Sequence, residues 1–259
     1  MDAFLELSVW QGLIVITMAI SIPGIIVVTS IRRLIENRIT KQHERVGRLL
    51  FRVSASLLAL LISLSYANEK VNYNKVVDSL EEEASLIAGV MLKLKIHHSP
   101  LAEEVREGLI NYVEFTIDDG WNDAINNPYL SKMWGTIVYI NMIARELPDD
   151  TRKQEILKTE IIEDINMITQ TLQIRFYSTY FHLPYLTYIL VFGLFIVWSF
   201  FSVYRPDRIS LFFLTLYNIF IAVLLYFVVM LGNPMVGPLK ITPESFSVLK
   251  DMGLDKLPF

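Results

Sequence analysis

The chain has 259 residues, 53% of them hydrophobic, no cysteine and a formal net charge of −4, with a mean hydropathy of +0.42. That hydropathy excludes an ordinary soluble domain and marks an integral membrane protein. The missing cysteines exclude disulfides, thiolate metal sites and a cysteine nucleophile, but say nothing about compartment.

Four apolar spans are predicted in chain order. The first, residues 7–31, has no charged residue between Val9 and Ser30 and carries Pro23-Gly24 near its middle. Because Asp2 and Glu6 precede it and the basic residues follow it, it reads as an uncleaved anchor rather than a signal peptide. The second, residues 49–67, is shorter and admits Arg52 near its start, where the side chain can snorkel. The third and fourth, residues 183–203 and 209–231, are each about 20 residues of Leu, Ile, Val and Phe without an ionisable group, long enough to cross. Aromatic residues flank the third: Tyr185 and Tyr188 at one end, Trp198 and Tyr204 toward the other, as interfacial belts require.

Four spans predict two membrane hairpins, 1–67 and 181–232, that flank a helical domain at 68–180 and are followed by a Pro/Gly-rich tail at 233–259. The expected class is therefore an all-α membrane protein whose extramembrane domain sits between the second and third spans. Both short loops are basic. Residues 32–48 hold Arg32, Arg33, Arg38, Lys41, Arg45 and Arg48 against Glu36 and Glu44, and Arg205 and Arg208 lie in the second hairpin. The positive-inside rule puts these loops in the cytoplasm, with both termini and residues 68–180 outside. In a bacterium that is the outer side of the inner membrane.

Residues 68–180 are acidic, with nineteen Asp and Glu against eleven Lys and Arg. Val76, Leu80, Ala84, Ile87, Met91 and Leu94 recur at three and four, so a helix continues out of the second span and ends near His97-His98. Ser99-Pro100 starts the next, with Ser99 as N-cap and Pro100 at the first helical position. Its inner face is Leu101, Val105, Leu109, Tyr112, Val113 and Thr116, and it ends around Asp119-Gly120 or frays through Trp121 to the turn formers Asn126-Asn127-Pro128. A third helix, about 129–146, is patterned by Met133, Trp134, Ile137, Ile140 and Ala144. Leu147-Pro148-Asp149-Asp150 breaks it and caps a fourth, which runs from about Thr151 to Tyr180 with Ile161, Ile165, Ile168 and Leu172 inward. Pro184 marks re-entry into the membrane.

Nothing in the sequence argues for catalysis. The histidines, His43, His97, His98 and His182, form no zinc spacing, and no nucleotide-binding or nucleophile motif is present. His97-His98 at a helix C-terminus interacts favourably with the helix dipole. Glu114 with Asp118, and Asp119 with Asp123, are weak cation-binding candidates at i,i+4, where oxygen ligands could hold Ca²⁺ or Mg²⁺. The run Glu81-Glu82-Glu83 wraps around its helix and reads as a solvated surface. No metal or other cofactor and no nucleic-acid partner is expected.

Within the bilayer, Ser56, Ala59, Ser63 and Ala67 form one stripe on the second span. Such a stripe lines a water-filled path or lets helices pack closely. Asn218, in the fourth span, is the costliest polar side chain there and is expected to hydrogen-bond a neighbouring helix.

The chain resembles the bestrophin-like domain family. The resemblance rests on Glu82-Glu83-Ala84-Ser85-Leu86, on Leu109, Tyr112 and Val113, and most specifically on the tail Asn233-Pro234-Met235-Val236-Gly237-Pro238-Leu239-Lys240-Ile241-Thr242-Pro243-Glu244-Ser245-Phe246. The segment Asp118-Asp119-Gly120-Trp121 departs from the family's acidic-Trp pattern. What the resemblance implies is an oligomer, typically a pentamer, with a central anion pore lined by the second transmembrane helix. Carried onto this chain, the pore-lining positions are Ser56, Ala59, Ser63 and Ala67. An acidic domain repeated around a ring would instead concentrate cations, so selectivity for an inorganic anion or cation stays open. The expectation is an oligomeric ion channel embedded in the lipid bilayer. The alternative is a membrane-anchored sensor or interaction protein whose outer helices bind a ligand or partner.

Overall fold

The computed structural model describes residues 2–120, 127–180 and 184–251, and every regular element among them is helical. A single turn, α1 (Asp2–Leu5), leads into α2 (Val9–Ile35). Ser8 caps α2 reciprocally with Gln11: its hydroxyl accepts from the Gln11 amide, and the Gln11 side chain accepts from the Ser8 amide. Pro23 lies inside α2 without ending it.

α3 (Lys41–His97) is one helix of 57 residues. No proline interrupts it, and it stops where His98 takes a left-handed conformation, φ 58°, ahead of the Ser99-Pro100 pair. α4 (Pro100–Phe115) begins with the Ser99 hydroxyl accepting from the Ala102 amide at 3.2 Å. It widens into a π-helical turn, Thr116–Gly120. α5 (Asn127–Arg145) and α6 (Arg152–Tyr180) follow. The α6 cap differs from expectation. Thr151 and Gln154 cap each other's amides at 3.2 Å, whereas Asp149 pairs with Lys158 at 3.1 Å.

α7 (Pro184–Phe201) and α8 (Arg208–Leu231) are the last apolar helices. Asp207 caps α8 by accepting from the Ser210 amide at 2.9 Å, and Arg32 donates to the Val203 carbonyl just beyond α7, also at 2.9 Å. That is a favourable place for a cation. The Pro/Gly-rich tail contains α9 (Glu244–Asp251).

The chain divides into two units: Met1–Asn72 with His182–Lys240, and Tyr73–Phe181 with Ile241–Phe259. In the first, α2 lies along α8 and α7. The interior is built from Ile20 and Val28 of α2, Leu58 and Ile62 of α3, Leu190, Leu194 and Val197 of α7, and Leu214 and Ile221 of α8. Outward, Trp10, Ile14, Met18, Ile22 and Ile26 form an i,i+4 row on α2, each more than half exposed, and Phe212, Leu216 and Phe220, with Phe213 beside them, do the same on α8. A surface this apolar is untenable in water and fits hydrocarbon. Three helices, Val9–Ile35, Lys41–His97 and Arg208–Leu231, are long and apolar enough to cross a bilayer; the described apolar run in α7, Tyr188–Phe201, is shorter.

Gly237 has φ +88°, and a Cβ there would lie 2.8 Å from the Leu5 carbonyl oxygen. Left-handed backbone and a close approach together demand glycine. Gly237→Ala is expected to cost about 1–3 kcal/mol, the scale of a strained backbone position, read as a lower thermal midpoint of the detergent-solubilised protein.

The second unit is a helical bundle in which α4 packs on α5, α5 on α6, and α9 on α4 and the π-helical turn. The expected inner positions of α3 and α6 are all buried, as are Val105, Leu109, Tyr112 and Val113 of α4. On α5, Trp134 is 39% exposed, whereas Met133, Ile137, Ile140 and Ala144 are buried. The helix turns Met133 inward, and its neighbour is carried out by the 100° step.

Candidate pore face and buried polar contacts

In the first unit α3 turns Leu58, Ile62, Ser65 and Glu69 inward, spaced four, three and four. At 100° per residue, Ser56, Ala59, Ser63 and Ala67 fall on the far side, and all four are exposed. Leu57, Leu60 and Leu64, also exposed, occupy the adjoining sector. The outward side of this helix thus splits lengthwise into a row of small and hydroxyl side chains and a row of leucines. The Ser56 hydroxyl donates to the Arg52 carbonyl at 2.9 Å. Ser54 and Ser65 bond back to Leu50 and Leu61 in the same way.

Asn218 is elsewhere. It is fully buried on α8, and its Oδ1 accepts from the Trp198 indole N–H of α7 at 2.9 Å. A Cβ on Gly24 of α2 would stand 2.7 Å from Asn218 Nδ2 and 2.8 Å from the Trp198 ring. Three helices therefore meet at Gly24, Trp198 and Asn218, and the structure does not bring Asn218 to the Ser/Ala row.

Among the described residues no group of three or more His, Asp or Glu is placed to hold a metal ion. Glu114 pairs with Lys250 of α9 at 3.5 Å, both side chains about half exposed, a surface contact of little energetic weight. Asp118 is exposed. The Asp119 side chain and Asp123 lie outside the described residues. His97 is buried, with its ring nitrogens 2.9 Å from the Pro148 carbonyl oxygen and 3.1 Å from Ser99 Oγ. Its role is thus to tie the α3 end to the α5–α6 connection through side-chain hydrogen bonds, beyond any interaction with the helix dipole.

Glu83 overturns the reading of Glu81-Glu82-Glu83 as a uniformly solvated run. Glu81 and Glu82 are exposed, but Glu83 is wholly buried. Its Oε2 lies 3.1 Å from Arg175 Nη1 of α6, and its Oε1 accepts a short hydrogen bond from the Tyr112 hydroxyl of α4. Ser79, Thr116 and Thr171, also buried, each donate to a carbonyl of their own helix. Burial pushes the Glu83 carboxyl above its ordinary value, with the Arg175 charge and then the Tyr112 hydrogen bond pulling the other way. Burial also works against the Arg175 charge, but Glu83 and Tyr112 hold it above its ordinary value. The Tyr112 hydroxyl, pushed well up by burial and by Glu83, stays a donor.

The sequence held a signal for this cluster. Glu83 falls between Leu80 and Ile87, Tyr112 after Leu109, and Arg175 after Leu172, each at the next position of its helix's inward row. Polar residues at inward positions on three packed helices must satisfy one another.

Apolar helices with lipid-like outer faces, joined in one chain to a helical unit with a buried ionic cluster, define a helical membrane protein. The family model named the Bestrophin-like domain matches residues 18–246. The chain belongs to that family. No curated protein and no solved structure matches it.

Proposed function

We propose that the chain is one subunit of an oligomeric ion channel, conducting rather than catalytic, with α3 lining the path and Ser56, Ala59, Ser63 and Ala67 facing it. The observation that carries this reading is the exposure of that row opposite the packed side of α3, next to leucines suited to lipid. Family membership supports it: the matching model is named Bestrophin-like, and the resemblance to bestrophins implies an anion channel. In this reading α7 completes four spans, the basic segments 32–48 and 204–208 are cytoplasmic, and residues 68–180 face outward across a bacterial inner membrane. Subunits close into a ring, five by family resemblance, and the acidic outer unit leaves cation conduction open.

Purified protein in planar bilayers is expected to carry current, and Ser63→Phe to remove most of it by placing an apolar ring in the path. Silence of the unmodified protein under every ionic condition would defeat the reading. A second reading, an interaction protein, is favoured by Trp134, Val138 and Met142, which stand exposed at i,i+4 on α5. A monomer in mild detergent would support it over a ring.

A further inference from the structure

Buried ion pairs are poor sources of stability, because desolvating two charges costs about as much as their attraction returns. Glu83, Tyr112 and Arg175 therefore call for another role. They join α3, α4 and α6 at one level, beside the π-helical turn that begins at Thr116, and π-helical turns recur where helices serve function. We propose that Glu83, Tyr112 and Arg175 form a proton-operated latch that fixes α3 against α6 when Glu83 is ionised and releases Arg175 when Glu83 takes up a proton.

The sign follows from linkage. In the closed latch the ionisable groups that meet the carboxylate are Tyr112 from α4 and Arg175 from α6, and both lower its proton affinity. Once Arg175 turns outward on its flexible stem, Glu83 remains among the apolar residues of its row and binds a proton more tightly. Proton uptake thus favours the open latch. Burial has already lifted the carboxyl above its ordinary range, so release falls at milder acidity than an exposed glutamate would need.

The absence of native cysteine makes a clean test available. Ser85→Cys on α3 and Gln173→Cys on α6, both exposed, take spin labels in the full chain, diluted with unlabelled chain in nanodiscs. The interlabel distance should be sharp at about pH 8 and lose that sharpness by about pH 4, a range that takes in the ordinary glutamate value of about 4.3 and everything raised above it. Glu83→Gln should be broad at both. Tyr112→Phe keeps the ion pair but removes a bond to the carboxylate, and should move the transition upward by about one pH unit. It serves as the deciding variant if Glu83→Gln does not fold. A distance unchanged between the two pH values, or a transition that Tyr112→Phe leaves in place, overturns the latch. Since the readout is a distance and not a current, its failure leaves the conduction reading standing.

Discussion

Glu83→Leu alone, or Arg175→Leu alone, is expected to lower stability by about 3–5 kcal/mol, the cost of stranding one buried charge. The double variant Glu83→Leu/Arg175→Met should recover most of that loss, because apolar groups of similar volume need no solvation. Thermal midpoints of the purified protein would show a non-additive cycle, with the double variant above either single variant and short of the parent by the bond that the buried Tyr112 hydroxyl loses. Additive losses would mean that Glu83 and Arg175 are each held by other partners. The same cycle separates stability from control, since a recovered double variant would carry no titratable latch.

The second large effect belongs to the membrane unit. Gly24→Ala places a Cβ within 2.7 Å of Asn218 Nδ2 and 2.8 Å of Trp198. Trp198 and Asn218 are buried and bonded to each other, so neither yields cheaply. Overpacking of this kind costs about 1–3 kcal/mol, and Gly24→Leu should exceed it. The check is a lowered thermal midpoint with altered Trp198 emission. Ile22→Ala, on the exposed row of the same helix, serves as the control and is expected to change stability little.

How much of this architecture was legible beforehand depended on periodicity. The helices of residues 68–180 declared themselves because Val76, Leu80, Ile87 and Leu94, or Ile161, Ile165 and Ile168, repeat at helical spacing and lie inside. The outward continuation of α3 to His97 followed from the absence of a breaker after the second span, whereas its start at Lys41, within the segment read as a loop, did not. Trp134 was misplaced because hydrophobicity alone does not say which of two adjacent apolar residues turns inward. α9 was hidden by a Pro/Gly-rich context, although Phe246 and Leu249 carry the three-residue spacing that buries them.

The polar core was misread for a different reason. Three consecutive glutamates look like one solvated run, but a helix spreads them over 200°, and one of the three must share the side of Leu80 and Ile87. Only its meeting with Tyr112 and Arg175, residues 29 positions and more away, makes that burial tolerable. Long-range pairing of this kind is a tertiary property. The Ser/Ala row was visible as a stripe, but its position opposite the packed side of α3 needed the packing itself.

The back-bonded hydroxyl of Ser56 bears on which sign of ion such a face would tolerate. Its proton is committed to the Arg52 carbonyl, so toward a passing ion it offers lone pairs and no donor. A chloride ion stripped of water wants hydrogen-bond donors, whereas a sodium or potassium ion wants oxygen. In a channel of the kind proposed, the row at this level would offer oxygen to a cation rather than a donor to an anion.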